Sequence, residues 1–267
     1  MKLVLAAISV ALAASPAGFV ASHQQSDGSF AETGGQSDPS LTAWATLGLV
    51  ASGQKPAGPA AEYLEGQRAS GAADLSLRIL ALNALGRDTS AEVARLEALR
   101  RPDGRIGSLV NSTIWGVLAL RATGHPAGAS VRYILRAQRR SGGWAWYPRG
   151  APDSNDTAAA IQALRAGGAG PRSSAICRGT AYLRRLQRAD GGFPLVPGRA
   201  SDAQSTAWAI QAFVAARRDP GRAPFHYLAG LRRTDGSYRY SKAYATTPVW
   251  VTSQVLAALA RKPFPLR

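Results

Sequence analysis

Few side chains in this 267-residue sequence could do chemistry, and they are unevenly placed. The single cysteine, Cys177, excludes an intrachain disulfide and any Cys-rich zinc or iron–sulfur site. Three histidines, His23, His125 and His226, lie far apart, each beside a turn or on an amphipathic segment, and read as packing or surface residues rather than metal ligands. No Gly-x-Ser-x-Gly elbow or paired histidine points to an activated serine. What remains is one acidic segment and a set of aromatics. In Asp153-Ser154-Asn155-Asp156-Thr157-Ala158 the two aspartates could hold a proton, whereas the carboxamide of Asn155 has no acidic proton to give. The same aspartates could simply cap a helix. Trp44, Trp115, Trp208 and Trp250 fall early in apolar stretches, and Trp146 and Tyr147 follow a turn. Together they would line a pocket for an apolar or planar ligand, or else wedge helices against one another.

These residues need elements to position them, and an internal repeat supplies the elements. A turn motif recurs at Ser26-Asp27-Gly28-Ser29-Phe30, Pro102-Asp103-Gly104-Arg105-Ile106, Ser141-Gly142-Gly143-Trp144, Asp190-Gly191-Gly192-Phe193 and Asp235-Gly236-Ser237-Tyr238, with a worn copy at residues 67–71. Six units at a period of roughly 42 residues fit one helical hairpin each. Asp starts the turn, Gly takes a positive φ, and the next aromatic or aliphatic residue plugs back under the hairpin. Before the turns lie amphipathic segments, such as Tyr182, Leu183 and Leu186 against Arg184, Arg185 and Arg188, or Val131, Ile134 and Leu135 against Arg132, Arg136 and Arg139. After the turns, residues 41–50, 75–85, 114–120, 157–164, 207–214 and 249–259 are apolar nearly all round and predict buried inner helices. Asp38, Asp74, Asn111, Asp156 and Asp202 are the expected caps of these helices. Wet helices alternating with dry ones, the dry always second, favour a closed double ring over an open solenoid.

Lys and Arg number 32 against 16 Asp and Glu, a net charge of +16, which is explained either by compositional bias towards Arg or by an anionic partner. The pairs Arg100-Arg101, Arg139-Arg140, Arg184-Arg185 and Arg232-Arg233 precede the turns and would collect on one rim of a ring, at helix ends that favour cations in any case. They carry no interleaved aromatics, so nucleic acid is not an expected partner. Residues 1–17 read as a signal peptide, with Lys2, an apolar run and Ser15-Pro16-Ala17 as a cleavage site, leaving 18–267 as one secreted or extracytoplasmic domain.

The turn motifs and their period resemble the prenyltransferase/squalene oxidase repeat of terpenoid cyclases and protein prenyltransferases, over about residues 19 to 262. The resemblance implies an all-α fold, an (α/α)6 toroid built from six helical hairpin repeats. Class II cyclases of this superfamily protonate an alkene with an Asp of a D-x-D-D-T-A motif. The matching segment here begins at Asp153 and sets Asn155 where the donor should stand, which argues against cyclase chemistry. The zinc-binding Asp, Cys and His of the prenyltransferases have no counterpart around Cys177, so neither a metal nor a catalytic residue is expected. The toroid also resembles the large domain of cobalamin carriers of the intrinsic-factor type.

The leading expectation is therefore a non-catalytic toroid that binds a small apolar ligand, for which a corrinoid is the candidate, through Trp44, Trp115, Trp146, Tyr147, Asp153, Asn155, Asp156, Trp208 and Trp250. A partner subunit would complete the site, as a second β-rich domain does in the carriers. The alternatives are a terpene cyclase- or prenyltransferase-like enzyme on isoprenoids, using Asp153 or Asp156 as its acid, and a docking module for an anionic envelope surface.

Overall fold

The structure is a computed structural model that describes residues 15–266. Among these residues the chain forms α1 (Pro16–Ala21), α2 (Pro39–Ala51), α3 (Ala60–Gly66), α4 (Ala72–Ala84), α5 (Ser90–Ala98), α6 (Val110–Ala122), α7 (Gly128–Ala137), α8 (Ser154–Ala166), α9 (Ser174–Leu186), α10 (Ala203–Ala215), α11 (Ala223–Ala229) and α12 (Pro248–Leu259). No strand is formed among them, only isolated bridges, three across the turns before Phe30, Ile106 and Tyr238 and two joining Trp144 and Phe193 to the caps Asp153 and Asp202. The even-numbered helices are the dry ones. Each packs against the next even-numbered helix, and α12 returns to pack on α2, so six hairpins close into an (α/α)6 toroid with the odd-numbered helices outside. The expected signal segment lies, up to residue 14, outside the described residues. Ser15 caps α1 through a bond from Gly18 N at 2.9 Å and Ala17 is buried, so the expected cleavage site falls within the first turn of that helix.

The turn motif works as its residue types dictate. Asp27, Asp103, Asp190 and Asp235 each accept, through Oδ1, the backbone N–H two residues on, at 2.9–3.0 Å. The following glycine needs its positive φ, and it also needs no side chain: a Cβ on Gly104 would sit 2.2 Å from Ala129 O at the start of α7. The glutamine four residues before the glycine donates to its carbonyl in three repeats, from Gln24, Gln138 and Gln187. The plugs Phe30, Ile106, Trp144, Phe193 and Tyr238 are buried, and each gives its N–H to a threonine of the inner helix, Thr42, Thr113, Thr157, Thr206 or Thr252, at 2.9–3.0 Å. The worn second copy, residues 67–71, is the shortest of the links that enter inner helices and carries no such bridge. Leu135, grouped by sequence with the buried side of its helix, is 40% exposed.

Caps differ from the sequence expectation at three helices. Asp38 and Asp202 cap α2 and α10, accepting from Leu41 N and Ser205 N at 2.7 Å. The cap of α8 is Asp153, not Asp156, because the helix starts a turn earlier than its apolar run. For the same reason Asp74 and Asn111 lie inside α4 and α6 rather than ahead of them. Facing the opposite end, Arg121 and Arg165 reach across to the last carbonyls of the next inner helices, Ala166 O at 3.1 Å and Ala215 O at 2.9 Å, where helix C-termini favour cations.

The seam between last and first repeats rests on two contacts. Glu32 turns its carboxylate onto Val249 N at 3.0 Å and Trp250 N at 2.8 Å, filling the donors left open at the start of α12. Gly48 lets α2 meet α12 so closely that a Cβ there would stand 2.4 Å from Ser253 O. Gly48→Ala is therefore expected to destabilise the protein by about 1–3 kcal/mol, and Glu32→Ala by a similar amount, measured by urea unfolding. Asp202 supplies a separate check. Burial raises its carboxyl to about 6, above its unfolded value, so the folded state holds the proton more tightly. Stability should then fall as pH rises from about 4 to about 6. Asp202→Asn keeps an oxygen for Ser205 N and should flatten that part of the stability–pH curve relative to the parent.

Candidate active site

The inner helices all begin at the same end of the ring, and the segments entering them form its mouth. Trp146 O accepts from Asn111 N, Leu195 O from Ser154 N and Tyr240 O from Ala203 N, so each entering segment lies over the start of the preceding inner helix. Below the mouth is a cavity of about 500 Å³.

Its floor is aromatic. Trp44, Trp115 and Trp208 sit six residues after the caps of α2, α6 and α10, the same position in alternate repeats, while Leu77, Ala159 and Ser253 take that position in the repeats between. The three indoles meet edge to face with centroids 5.4–5.6 Å apart, a favoured aromatic geometry. Trp250 joins Trp44 at 6.3 Å, and Trp208 Nε1 donates to Gln254 Oε1 at 2.9 Å. From the far end the C-terminal segment inserts Phe264 behind this floor, 5.9 Å from both Trp44 and Trp208, with its N–H on Gln162 Oε1 at 2.7 Å. The hollow is thus a bowl open at one end.

The acidic segment forms one side of the bowl. Asp153 is held as the cap of α8, with Oδ1 accepting from Asp156 N at 2.8 Å. Asp156, one turn on, is 3% exposed and accepts a 2.7 Å bond from Asn111 Nδ2 of the neighbouring helix. Burial, the adjacent Asp153 charge and a carboxyl–carboxyl hydrogen bond to Asp153 hold the Asp156 carboxyl well above the usual carboxylate range. Burial raises Asp153 too, but its bonds to Asp156 pull it back, so a proton shared by the pair resides on Asp156. Asn155 lines the bowl beside them, half-buried, and accepts from Ser154 Oγ at 3.2 Å. A carboxylic acid, kept protonated and facing an apolar cavity, can protonate an apolar substrate.

Of the nine residues expected at the site, eight line the bowl: Trp44, Trp115, Trp146, Asp153, Asn155, Asp156, Trp208 and Trp250. Tyr147 does not. It follows Trp146 in an irregular segment and faces an outer groove beside Tyr133 and Arg136. Sequence reasoning missed Asn111, taken for a cap, as the partner of Asp156. It also missed Asp74, taken like Asn111 for a cap, and Gln254, Gln204 and Leu195, whose places in the middle of α12, at the start of α10 and on the segment entering α10 carry no signal in the sequence. Cys177 lies on outer helix α9, near the Arg218 guanidinium at 3.1 Å and away from the bowl.

No family model and no curated protein matches the chain. Solved structures do. It is similar to a variant of the type II terpene cyclase MstE from Scytonema, in complex with its substrate geranylgeranyl dihydroxybenzoate, at 15% identity, TM-score 0.67, over 95% of this chain and 96% of that one. It is similar to ent-copalyl diphosphate synthase from Streptomyces platensis at 21% identity, TM-score 0.63, over 84% of this chain and 50% of that one. It is also similar to the Candida albicans protein geranylgeranyltransferase-I complexed with GGPP, at 14% identity, TM-score 0.58, over 74% and 69%. These likenesses corroborate the resemblance seen in the turn motifs. They also overturn the expectation of a non-catalytic binder of a corrinoid-like ligand, since a structure matched over nearly its whole length is a cyclase holding an isoprenoid substrate. That expectation rested on Asn155 standing where the proton donor should be. The chain shares the α/α-toroid fold of terpene cyclases and protein prenyltransferases.

Proposed function

We propose that this protein is a class II terpene cyclase-like enzyme that starts the cyclisation of an isoprenoid polyene by protonation, with Asp156 as the acid. The observation that carries this reading is a buried carboxyl, held protonated by its surroundings and aimed by Asn111, in a tryptophan-floored bowl. The donor is displaced by one residue from the position that Asn155 occupies.

In the first step the proton of Asp156 passes to one carbon of a terminal alkene. The alkene π pair forms the new C–H bond, and the other carbon is left as a tertiary carbocation. The next alkene attacks it, closing a ring and moving the positive charge along the chain. Asp156 is left as a carboxylate, stabilised by Asn111 Nδ2. The tryptophans offer π density to the migrating charge, worth about 0.5–2 kcal/mol per contact. Loss of a proton from the last cation completes the reaction, and reprotonation resets Asp156. Asp153 acts as a positioning residue: its charge and hydrogen bond keep the proton on Asp156.

Incubation of the purified protein with geranylgeraniol, its diphosphate and a geranylgeranylated phenol, followed by mass-spectrometric analysis, should give a cyclised product from at least one. Asp156→Asn should lower turnover by about 10²–10⁴-fold. Activity should fall as pH rises through the elevated Asp156 titration. Asp153→Asn removes the charge that helps raise it and should move that fall to lower pH. Equal turnover by the Asp156→Asn variant, or no cyclised product from the whole set, would refute the reading.

A further inference from the structure

The mouth of the ring carries a surface that the proposed chemistry does not use. Trp146 is 51% exposed, Tyr147 56%, Leu195 39% and Tyr244 63%. These are four of the seven large hydrophobic side chains more than a third exposed among the described residues, and all four lie on segments that enter inner helices. Large apolar groups gathered in this way at the edge of an apolar cavity mark an interaction surface. Trp146 and Leu195 also line the bowl, so the cavity opens within the patch.

Cations surround it. Arg149 and Arg199 stand exposed on the same segments as Trp146 and Leu195, and Lys242 on that of Tyr244. Arg139 and Arg188, at the ends of the outer helices, brace these segments by donating to Arg149 O at 3.3 Å and Arg199 O at 3.1 Å. Their partners are backbone carbonyls, and none of Arg139, Arg149, Arg188 and Arg199 takes part in an ion pair among the described residues, so the charge at this rim is not cancelled. Of the acids at this end of the ring, Glu32 is committed to the start of α12, while Asp190 and Asp38 are exposed but accept local bonds, from Gly192 N and Ser201 Oγ and from Leu41 N.

Aromatic side chains that project beside uncancelled cations fit one kind of partner, an anionic lipid bilayer, whose interface takes the rings while its head groups take the guanidinium groups. We infer that the mouth of the toroid seats on such a surface, with Trp146, Tyr147, Leu195 and Tyr244 entering the interface and Arg149, Arg199 and Lys242 meeting the head groups. The bowl then faces the apolar phase in which isoprenoids dissolve. No described helix is long and apolar enough to cross a membrane, so the contact is with one leaflet. The inference stands on the surface alone and does not depend on the catalytic reading.

The test is co-sedimentation of the full chain with vesicles of equal parts phosphatidylglycerol and phosphatidylcholine, and with phosphatidylcholine vesicles. Three double variants are compared, each checked for unchanged circular dichroism and melting temperature. Tyr147→Ser with Tyr244→Ser trims the patch outside the bowl. Arg149→Glu with Arg199→Glu reverses charge at the mouth. Arg132→Glu with Arg172→Glu makes the same charge change at the opposite end of the ring. The parent should bind the anionic vesicles at least about tenfold more tightly than the neutral ones, and less tightly as salt is raised from about 0.05 to about 0.5 M. Each mouth variant should lose about tenfold, and the opposite-end variant less than about twofold. Equal losses in the two charge-reversal variants would reduce the effect to net charge and overturn the inference. So would unchanged binding by the tyrosine variant, or retention on a soluble polyanion such as heparin with no vesicle binding.

Discussion

A ring of hairpins has to end where it began, and this closure is the constraint on which the rest of the molecule depends. The seam joins segments more than two hundred residues apart, so it is the contact with the largest loop entropy to overcome. Two features meet that cost. Gly48 removes the one side chain that would hold α2 off α12, and Glu32 offers a carboxylate to two backbone donors at the helix end where negative charge is favoured. Without the seam the inner helices, apolar on nearly all sides, would expose a face to water. With it, six helix starts converge on one opening.

That convergence bears on the acid. Asp156 sits in the first turn of α8, where the helix dipole stabilises a carboxylate by about 0.3–1 kcal/mol and would lower its affinity for protons. Burial and the neighbouring Asp153 act in the opposite sense and prevail, holding a carboxyl only 3% exposed well above the usual carboxylate range. The raised proton affinity of Asp156 is therefore a result of packing. The Asn111 bond selects which oxygen is committed to the wall of the bowl and leaves the other for Asp153 or a substrate.

Much of this was legible in the sequence, for reasons that can be named. The Asp-Gly turns announce themselves because each makes a local demand that only those residue types meet, and their period gives the hairpins. The tryptophans were legible as a set because they recur early in apolar segments. The acid was not. Helix starts are read from the onset of the apolar run, and α8 begins a turn before that onset, so the sequence named Asp153 and Asp156 both as caps and as candidate acids and could not say which did which. The partnership of Asn111 with Asp156 joins residues 45 apart in sequence and needs the third dimension. Phe264 could not have been found at all, since it belongs to no repeat, and Tyr147 was assigned by its neighbour Trp146, which alone of the two lines the bowl.

The three central indoles have a consequence for how such a chain can be assembled from copies of itself. The backbone is sixfold, but the axis has room for only three large rings, and the repeats between them carry Leu77, Ala159 and Ser253. Six identical hairpins would crowd six indoles onto one line or leave it hollow. The smallest unit that can be duplicated around this barrel is a pair of unlike hairpins, one bulky and one slender at its midpoint, so its symmetry is that of a trimer of pairs.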